Sequence, residues 1–509
     1  MKKIFFSLAF VFSSSLTFSQ EKGLDQKIDE AFTPISNFFS DIVFFQVGGY
    51  PFVIFLLVGS AAFFTLYFGF PNIKYFSTAI NVVRGKYDDL DKDVSSGSKD
   101  GEVSHFQALA TAVSGTVGNG NIAGVALAIA LGGPGATFWM IICGLIGMST
   151  KFVECTLGVQ YRDVDENGVV YGGPMYYLSR GLKQKGFENL GKITAVIFAI
   201  CCIGGSFGGG NAAQSNQATV VLKQLLGLES TSAGAIIGII MAILVGIIII
   251  GGIKRIASVT EKVVPFMAVL YLFACTYILL INFTLVDDAV SLIMSEAFNP
   301  TAMGVGGVIG VLMVGFKRAA FSNEAGAGSA SIAHSAVKTK YAASEGLVAL
   351  LEPFIDTVVI CTMTALVIVI FNFGGYFEYG GDGLGTVMID GVPFEGAGIT
   401  SQAFAQYIPF SDVFLTVAVV LFAISTMISW SYYGLQSWKY LFGRGDLADI
   451  TYKLLFCTFI VIGAAASMNS IWAFSDAMIF AMVFPNMVGL YFLFPVVKKE
   501  LQKYLKAIR

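Results

Sequence analysis

Two histidines, His105 and His334, are all that 509 residues contain. A histidine-ligated metal centre has too few donors, and a catalytic histidine base is equally unsupported, since neither HExxH nor GxSxG occurs. Charge is also scarce: Asp, Glu, Lys and Arg make up 13% of the chain and the net charge is -3. No basic patch is left to hold nucleic acid. The 7 cysteines (Cys143, Cys155, Cys201, Cys202, Cys275, Cys361 and Cys457) are odd in number, form no CxxC pair and sit in apolar runs. They read as small buried hydrophobes rather than disulfide or metal partners. What is abundant is apolar side chain, 55% of residues, with a mean hydropathy of +0.74. A soluble protein of this size is not that greasy, so the chain belongs in a membrane.

The first residues stand apart from the rest. Lys2-Lys3, the short apolar run Ile4 to Phe12, and small residues around Thr17-Phe-Ser19 read as a signal peptide over 1–19, the other reading being an uncleaved amphipathic start. An extracytoplasmic N-terminal segment over 20–45 follows. Apolar runs of spanning length then recur at about 50–70, 106–131, 136–158, 194–222, 233–253, 263–283, 304–332, 348–371, 412–434, 450–467 and 475–497. The expected fold is an all-α membrane protein with eleven transmembrane helices over 46–498 and a cytoplasmic tail at 499–509. Alternate loops split the basic residues sharply: 23 of 31 Lys and Arg lie in one set and only Lys223 in the other. By the positive-inside rule the N-terminus is outside and the C-terminus cytoplasmic, in a multi-pass protein of the bacterial plasma (inner) membrane. One leading helix plus ten more divides into a 5+5 inverted repeat, because five is odd and the second group starts on the opposite side.

Two of these runs are interrupted by glycine-rich polar segments, Ser114 to Gly124 and Gly315 to Gly328. Backbone unwound at membrane depth survives only where protein or a wet cavity satisfies it, and paired interruptions in two halves point to a transporter's substrate and ion site. Glycines such as Gly118 and Gly120 permit angles that other residues avoid, and a half-helix beginning near Asn121 aims free N–H groups at an anion. A zwitterionic amino acid needs such donors for its carboxylate and carbonyl acceptors for its ammonium. The alternative is close helix packing through small residues, which does not call for the amides of Asn119 and Asn121. Sodium prefers oxygen, and Ser425-Thr-Met-Ile-Ser-Trp430 offers three hydroxyls in an apolar run, unless they bond back to their own helix. Gln214, with Asn211 and Gln217 as alternatives, lies in a polar mid-span patch and is a candidate hydrogen-bond partner for substrate.

The segment Gly115-Thr-Val-Gly-Asn-Gly-Asn-Ile-Ala-Gly-Val-Ala-Leu-Ala-Ile129, followed by Gly132-Gly-Pro-Gly-Ala-Thr-Phe-Trp139, resembles the signature of the alanine or glycine:cation symporter family. Gly172-Gly-Pro-Met-Tyr-Tyr177, Lys317-Arg-Ala-Ala-Phe-Ser-Asn-Glu-Ala-Gly326, Phe354-Ile-Asp-Thr-Val-Val-Ile-Cys-Thr362 and Trp430-Ser-Tyr-Tyr-Gly434 extend the resemblance from about residue 40 to 500. It implies sodium-driven symport of alanine and/or glycine by alternating access, on a LeuT-like (APC superfamily) bundle with two broken helices. Asn119 and the long loop 372–411 depart from the pattern. The resemblance places Ser425 and Thr426 opposite the first break, sharing sodium with carbonyls near Ser114 and Val117. It also raises Phe321 and Trp430, with Met427, as a wall closing over a methyl group. Substrate contacts are then expected at Thr116, Gly118, Gly120, Asn121, Gln214, Phe321, Met427 and Trp430. Asn121 and Asp356 are candidates for a second cation site, the alternative for Asp356 being a structural polar contact. Arg318 and Glu324, charges within a membrane segment, are expected at a gate.

The expected partners are thus a small amino acid, sodium as the co-transported ion and the lipid bilayer, with no organic cofactor. A channel needs a continuous polar stripe or charged ring, whereas polarity here is concentrated at two breaks and one helix. A proton-coupled symporter, with Glu324 as carrier, and a non-transporting amino-acid sensor remain as alternatives.

Overall fold

The computed structural model describes residues 23–91, 101–300, 306–380 and 383–508. The expected leader over 1–19 lies outside them. The helices that matter below are α1 (Leu24–Val43), α2 (Phe52–Tyr67), α3 (His105–Thr116), α4 (Gly120–Gly132), α5 (Gly135–Gln160), α6 (Glu188–Leu226), α7 (Ala233–Ile249), α8 (Gly252–Ile281) and α9 (Phe283–Phe298). They continue as α10 (Gly307–Asn323), α11 (Ala330–His334), α12 (Ala342–Asn372), α13 (Ala397–Ala405), α14 (Ser411–Phe442), α15 (Asp446–Ala465) and α16 (Met468–Ala507). Seven of these, α5, α6, α8, α12, α14, α15 and α16, are long and apolar enough to cross a bilayer, and α3 with α4 makes an eighth span bent by 51°. Helices α2 and α7 are shorter but apolar. Among the described residues, strand structure is confined to three antiparallel hairpins, of which Val387–Ile389 with Val392–Phe394 lies in the long loop before α13.

Local chemistry sets the ends that count. Helix α3 opens on a capping box in which Ser104 Oγ accepts from the Gln107 amide at 3.2 Å and Gln107 Oε1 accepts from the Ser104 amide at 3.1 Å. It stops at Val117, whose backbone is extended. Helix α4 then starts with a wide π turn over Gly120–Gly124. Similar wide turns occur at Gly208–Ala212 within α6 and Phe354–Cys361 within α12. Each widened turn frees a carbonyl and re-aims a side chain, and such turns gather at functional sites.

The second break is later than the sequence suggests. Lys317 to Asn323 continue α10 without interruption, and the chain unwinds from Glu324, which is left-handed (φ 55°), through Gly326 and Gly328 (φ 97° and 87°). Phe321, expected inside the break, therefore lies on its helical approach. The reason is electrostatic: Asp476 on α16 pairs with both Lys317 (2.9 Å) and Arg318, so these charges can remain on a helix at membrane depth.

The expected polar N-terminal segment is largely a helix, α1, laid along α16 through Phe32, Ser36 and Val43. Its carboxylates finish other helices. Asp29 Oδ1 accepts from the Ser467 amide (2.9 Å) and hydroxyl (2.7 Å) at the start of α16, and Asp25 accepts from the amides that open α7. In the interior, α5 packs against α10, α12 and α16, while α14 lies across α3, α6 and α8. Both breaks are thereby enclosed: every residue of 114–124 and of 318–337 is buried.

Candidate functional site

The first break is held by its own amides and by α6. The Asn121 carboxamide oxygen accepts from the Gly118 amide at 2.9 Å, closing the turn. Gln214 Oε1 accepts from the Asn119 amide at 2.9 Å, and Asn119 Nδ2 donates to the Gln214 carbonyl at 3.1 Å. Of the three amides in the polar patch, Gln214 is the one that reaches the break. Asn211 donates instead to the Phe456 carbonyl, and Gln217 holds the Ala397 amide at the start of α13. Gly118 cannot be larger, because a Cβ there would collide with Thr426 Oγ1 and lie 3.0 Å from Gln214 Oε1.

Helix α14 meets this break with its hydroxyls, but not all in one direction. Thr426 Oγ1 lies 3.4 Å from the Val117 carbonyl, at the point where α3 stops. The Ser425 hydroxyl turns to its own helix, donating to the Phe422 carbonyl at 2.9 Å, while its carbonyl accepts from Ser114 Oγ at 2.8 Å. Thr116 likewise bonds back to Ala112 and Val113. Met427 is fully buried on the same helix. Trp430 does something the sequence did not suggest. Its indole N–H is shared between the Gly115 carbonyl (3.2 Å) and Glu324 Oε1 (2.9 Å), so it ties one break to the other. Glu324 also accepts from Ser329 Oγ. Both carboxyl oxygens are thus engaged by neutral donors at the start of the unwound backbone.

A second polar knot joins the two breaks through α12. Asp356 Oδ1 accepts from Asn121 Nδ2 at 2.5 Å and from Ser322 Oγ at 3.0 Å, and Oδ2 accepts from Thr357 Oγ1 at 2.6 Å. Asn121 also donates to the Asp356 carbonyl at 3.1 Å. Gly120 faces this knot, with Ser322 Oγ 3.4 Å from where its Cβ would stand. Asp356 is fully buried, and among the described residues no Lys, Arg or His forms an ion pair with it. A buried carboxylate supplied only with neutral donors calls for a bound cation or a proton to balance it.

Next to these knots lies an aromatic pair. Phe321 stacks on Trp472 with ring centroids 5.0 Å apart, and the pair lies over Gly124 and Gly209. Arg318 lies 5.5 Å and 5.3 Å from the two ring centroids and pairs with Asp476, as Lys317 does at 2.9 Å. Trp472, Asp476 and Ser322 are absent from the sequence-derived candidates. A signal existed for Asp476: it is the lone acid in the apolar run 468–497.

Helices long enough to span a bilayer, one of them bent at the first break and knotted by polar side chains to the second unwound segment, are the frame of a membrane transporter. The comparisons with known proteins say which kind. Residues 33–509 match the model of the sodium:alanine symporter family, and the chain belongs to that family. It is 39% identical over 455 residues, 89% of this chain and 94% of the relative, to the sodium/alanine symporter AgcS of Methanococcus maripaludis. It is 32% identical, over 89% of this chain and 88% of the relative, to a Bacillus subtilis protein named "Probable sodium/glutamine symporter GlnT". Among solved structures, that of MhsT in complex with L-phenylalanine aligns with 79% of this chain and 99% of its own, at 13% identity and a TM-score of 0.49. No residue role is carried over from it. The chain is accordingly a membrane symporter and not an enzyme.

Proposed function

We propose that this protein imports alanine and/or glycine together with sodium by alternating access, with both ligands bound at the first break. The carrying observation is the approach of Thr426 Oγ1 to the Val117 carbonyl, 3.4 Å apart across the point where α3 stops. Hydroxyl and freed carbonyl are the oxygen donors that a hard monovalent cation takes, and a rotation of Ser425 about χ1 would add a third. The amino-acid carboxylate goes to the amides around Gly118 to Asn121, and Phe321 with Trp472 limits the side chain. That wall favours alanine over a larger substrate such as the glutamine in the name of the Bacillus relative. Asp356, lacking a cationic partner, is the anchor of a second cation site with Ser322, Thr357 and Asn121. Membership of the sodium:alanine symporter family makes sodium rather than proton coupling the better fit.

The same reading takes the chain as eleven spans, one leading helix and a 5+5 inverted repeat, with the N-terminus outside and the lysine- and arginine-rich face in the cytoplasm. Arg318 and Asp476 then belong to the outer gate. Radiolabelled alanine uptake into proteoliposomes, with sodium, proton and potassium gradients imposed in turn, tests it. Sodium alone should drive accumulation, and accumulation under a proton gradient without sodium would overturn it.

A further inference from the structure

Both histidines of the chain meet one carboxylate. Glu345, fully buried in α12, gives Oε1 to His334 Nδ1 at 2.5 Å and Oε2 to His105 Nδ1. His334 Nε2 lies 3.5 Å from Glu352 Oε2, and Glu352 Oε1 accepts from Lys151 Nζ at 3.0 Å. The series Lys151, Glu352, His334, Glu345, His105 therefore runs through α5, α12, α11 and α3. All but His105 are fully buried, and His105 lines a cavity of about 390 Å³ on the basic face, with Arg84, Asp88 and Lys338.

Position gives this series its meaning. His105 is the first residue of the first broken helix, and His334 is the last residue of α11, the segment that resumes after the second break. The backbone repeats the connection, since the Glu102 amide donates to the Ala336 carbonyl at 2.7 Å and the Lys338 amide to the Val103 carbonyl at 2.8 Å. Arg162, beyond the end of α5, adds bonds to the carbonyls of Ser335 (2.8 Å) and Val337 (2.5 Å). On the basic face the two broken helices are thus joined end to end, and the join is anchored to α5 and α12. A route from the breaks to that face opens only when these ends part or move together away from α5.

We infer that Glu345 is an inner-gate residue, a latch that holds the cytoplasmic ends of both broken helices through His105 and His334 and must release at least one of them for substrate to leave. Lys151 and Glu352 form the fixed end of the latch. The inference rests on the proposed transport reading and on its orientation. A static ionic cluster needed only for folding would use the same contacts, so the test has to separate movement from stability.

Cys155 supplies the reporter, being fully buried one helical turn from Lys151 on α5. The full-length protein and its Glu345→Gln and His105→Gln variants are treated with N-ethylmaleimide, and alkylation of Cys155 is followed by peptide mass spectrometry beside sodium-dependent alanine binding. Loss of one hydrogen bond to a charged group should raise the Cys155 alkylation rate about ten- to a hundredfold in Glu345→Gln, with alanine binding within a few fold of the parent. His105→Gln, which leaves the buried part of the cluster intact, should shift the rate in the same direction by less. Unchanged Cys155 alkylation in both variants would overturn the latch, and so would loss of alanine binding in both. If the parent itself binds no alanine, the transport reading fails instead, whatever the alkylation rates.

Discussion

Replacing Trp430 with Phe removes the one N–H that spans the two breaks and leaves most of the ring in place. In the parent that N–H lies 2.9 Å from Glu324 Oε1 and 3.2 Å from the Gly115 carbonyl. Both acceptors are buried, so no water takes over the lost bond without rearrangement. A hydrogen bond to a charged group contributes about 1.5–3 kcal/mol, one to a carbonyl about 0.5–1.5, and a single shared proton contributes less than their sum. The enclosed arrangement should therefore lose about 2–3 kcal/mol relative to any arrangement in which the breaks are apart, or roughly 30- to 150-fold in population. Initial rates of sodium-driven alanine uptake at subsaturating substrate should fall by a comparable factor, read in proteoliposomes of matched protein density. The Trp430→Phe/Glu324→Gln pair should lose little more than Trp430→Phe alone, because both substitutions act on the same bond. Uptake by Trp430→Phe within twofold of the parent, with the same sodium requirement, would show that the tie has no part in transport.

Four further outcomes are expected. Thr426→Val keeps the shape of the side chain but removes the hydroxyl at the Val117 carbonyl, and should raise the sodium concentration for half-maximal uptake at least about tenfold, a loss of ~1.4 kcal/mol; an unchanged sodium curve refutes the assignment. Asp356→Asn removes the uncompensated charge, so the sodium-to-alanine ratio, measured from reversal potentials, should drop by one ion. Arg318→Gln leaves Asp476 paired with Lys317 alone, so the cost should stay below the ~3–5 kcal/mol of leaving a buried charge unpaired; uptake should slow while equilibrium alanine binding stays within a few fold. Asp163, outside the spans, is pushed up by partial burial, but the hydrogen bonds of Arg444 (2.6 Å) and Arg180 (2.8 Å) outweigh that and hold its carboxyl below its ordinary value. A depressed carboxyl stabilises the fold above its unfolded pKa of about 3.9 and ceases to do so as pH falls through the folded value. Thermal unfolding of the parent should therefore drop more steeply below about pH 4 than that of Asp163→Asn.

Much of this protein follows from local properties of the sequence. Long apolar runs, glycine-rich interruptions and the one-sided distribution of Lys and Arg depend on hydropathy and backbone freedom, which operate within a single segment. They suffice for a helical membrane protein with breaks somewhere within 114–124 and 315–328. The candidate residues Gln214, Asn121 and Asp356 were legible for the same reason, as polar groups that apolar surroundings do not tolerate without partners. Of their partnerships, the meeting of Asn121 with Asp356 was expected and the rest were not. That Gln214 holds the Asn119 amide, or that Trp430 joins Gly115 to Glu324, depends on which helices lie side by side.

Tertiary structure alone settled direction. Ser425 and Thr426 are neighbours with the same kind of hydroxyl, yet one bonds to its own helix and the other faces Val117, because 100° of helical rotation separates them. Phe321 was expected in a break and lies on a helix, since Asp476, remote in sequence, compensates the charges of Lys317 and Arg318 and lets α10 continue. The chain's two histidines carried no sequence signal at all. Only folding brings both to Glu345, where a single buried carboxylate needs both of its oxygens satisfied.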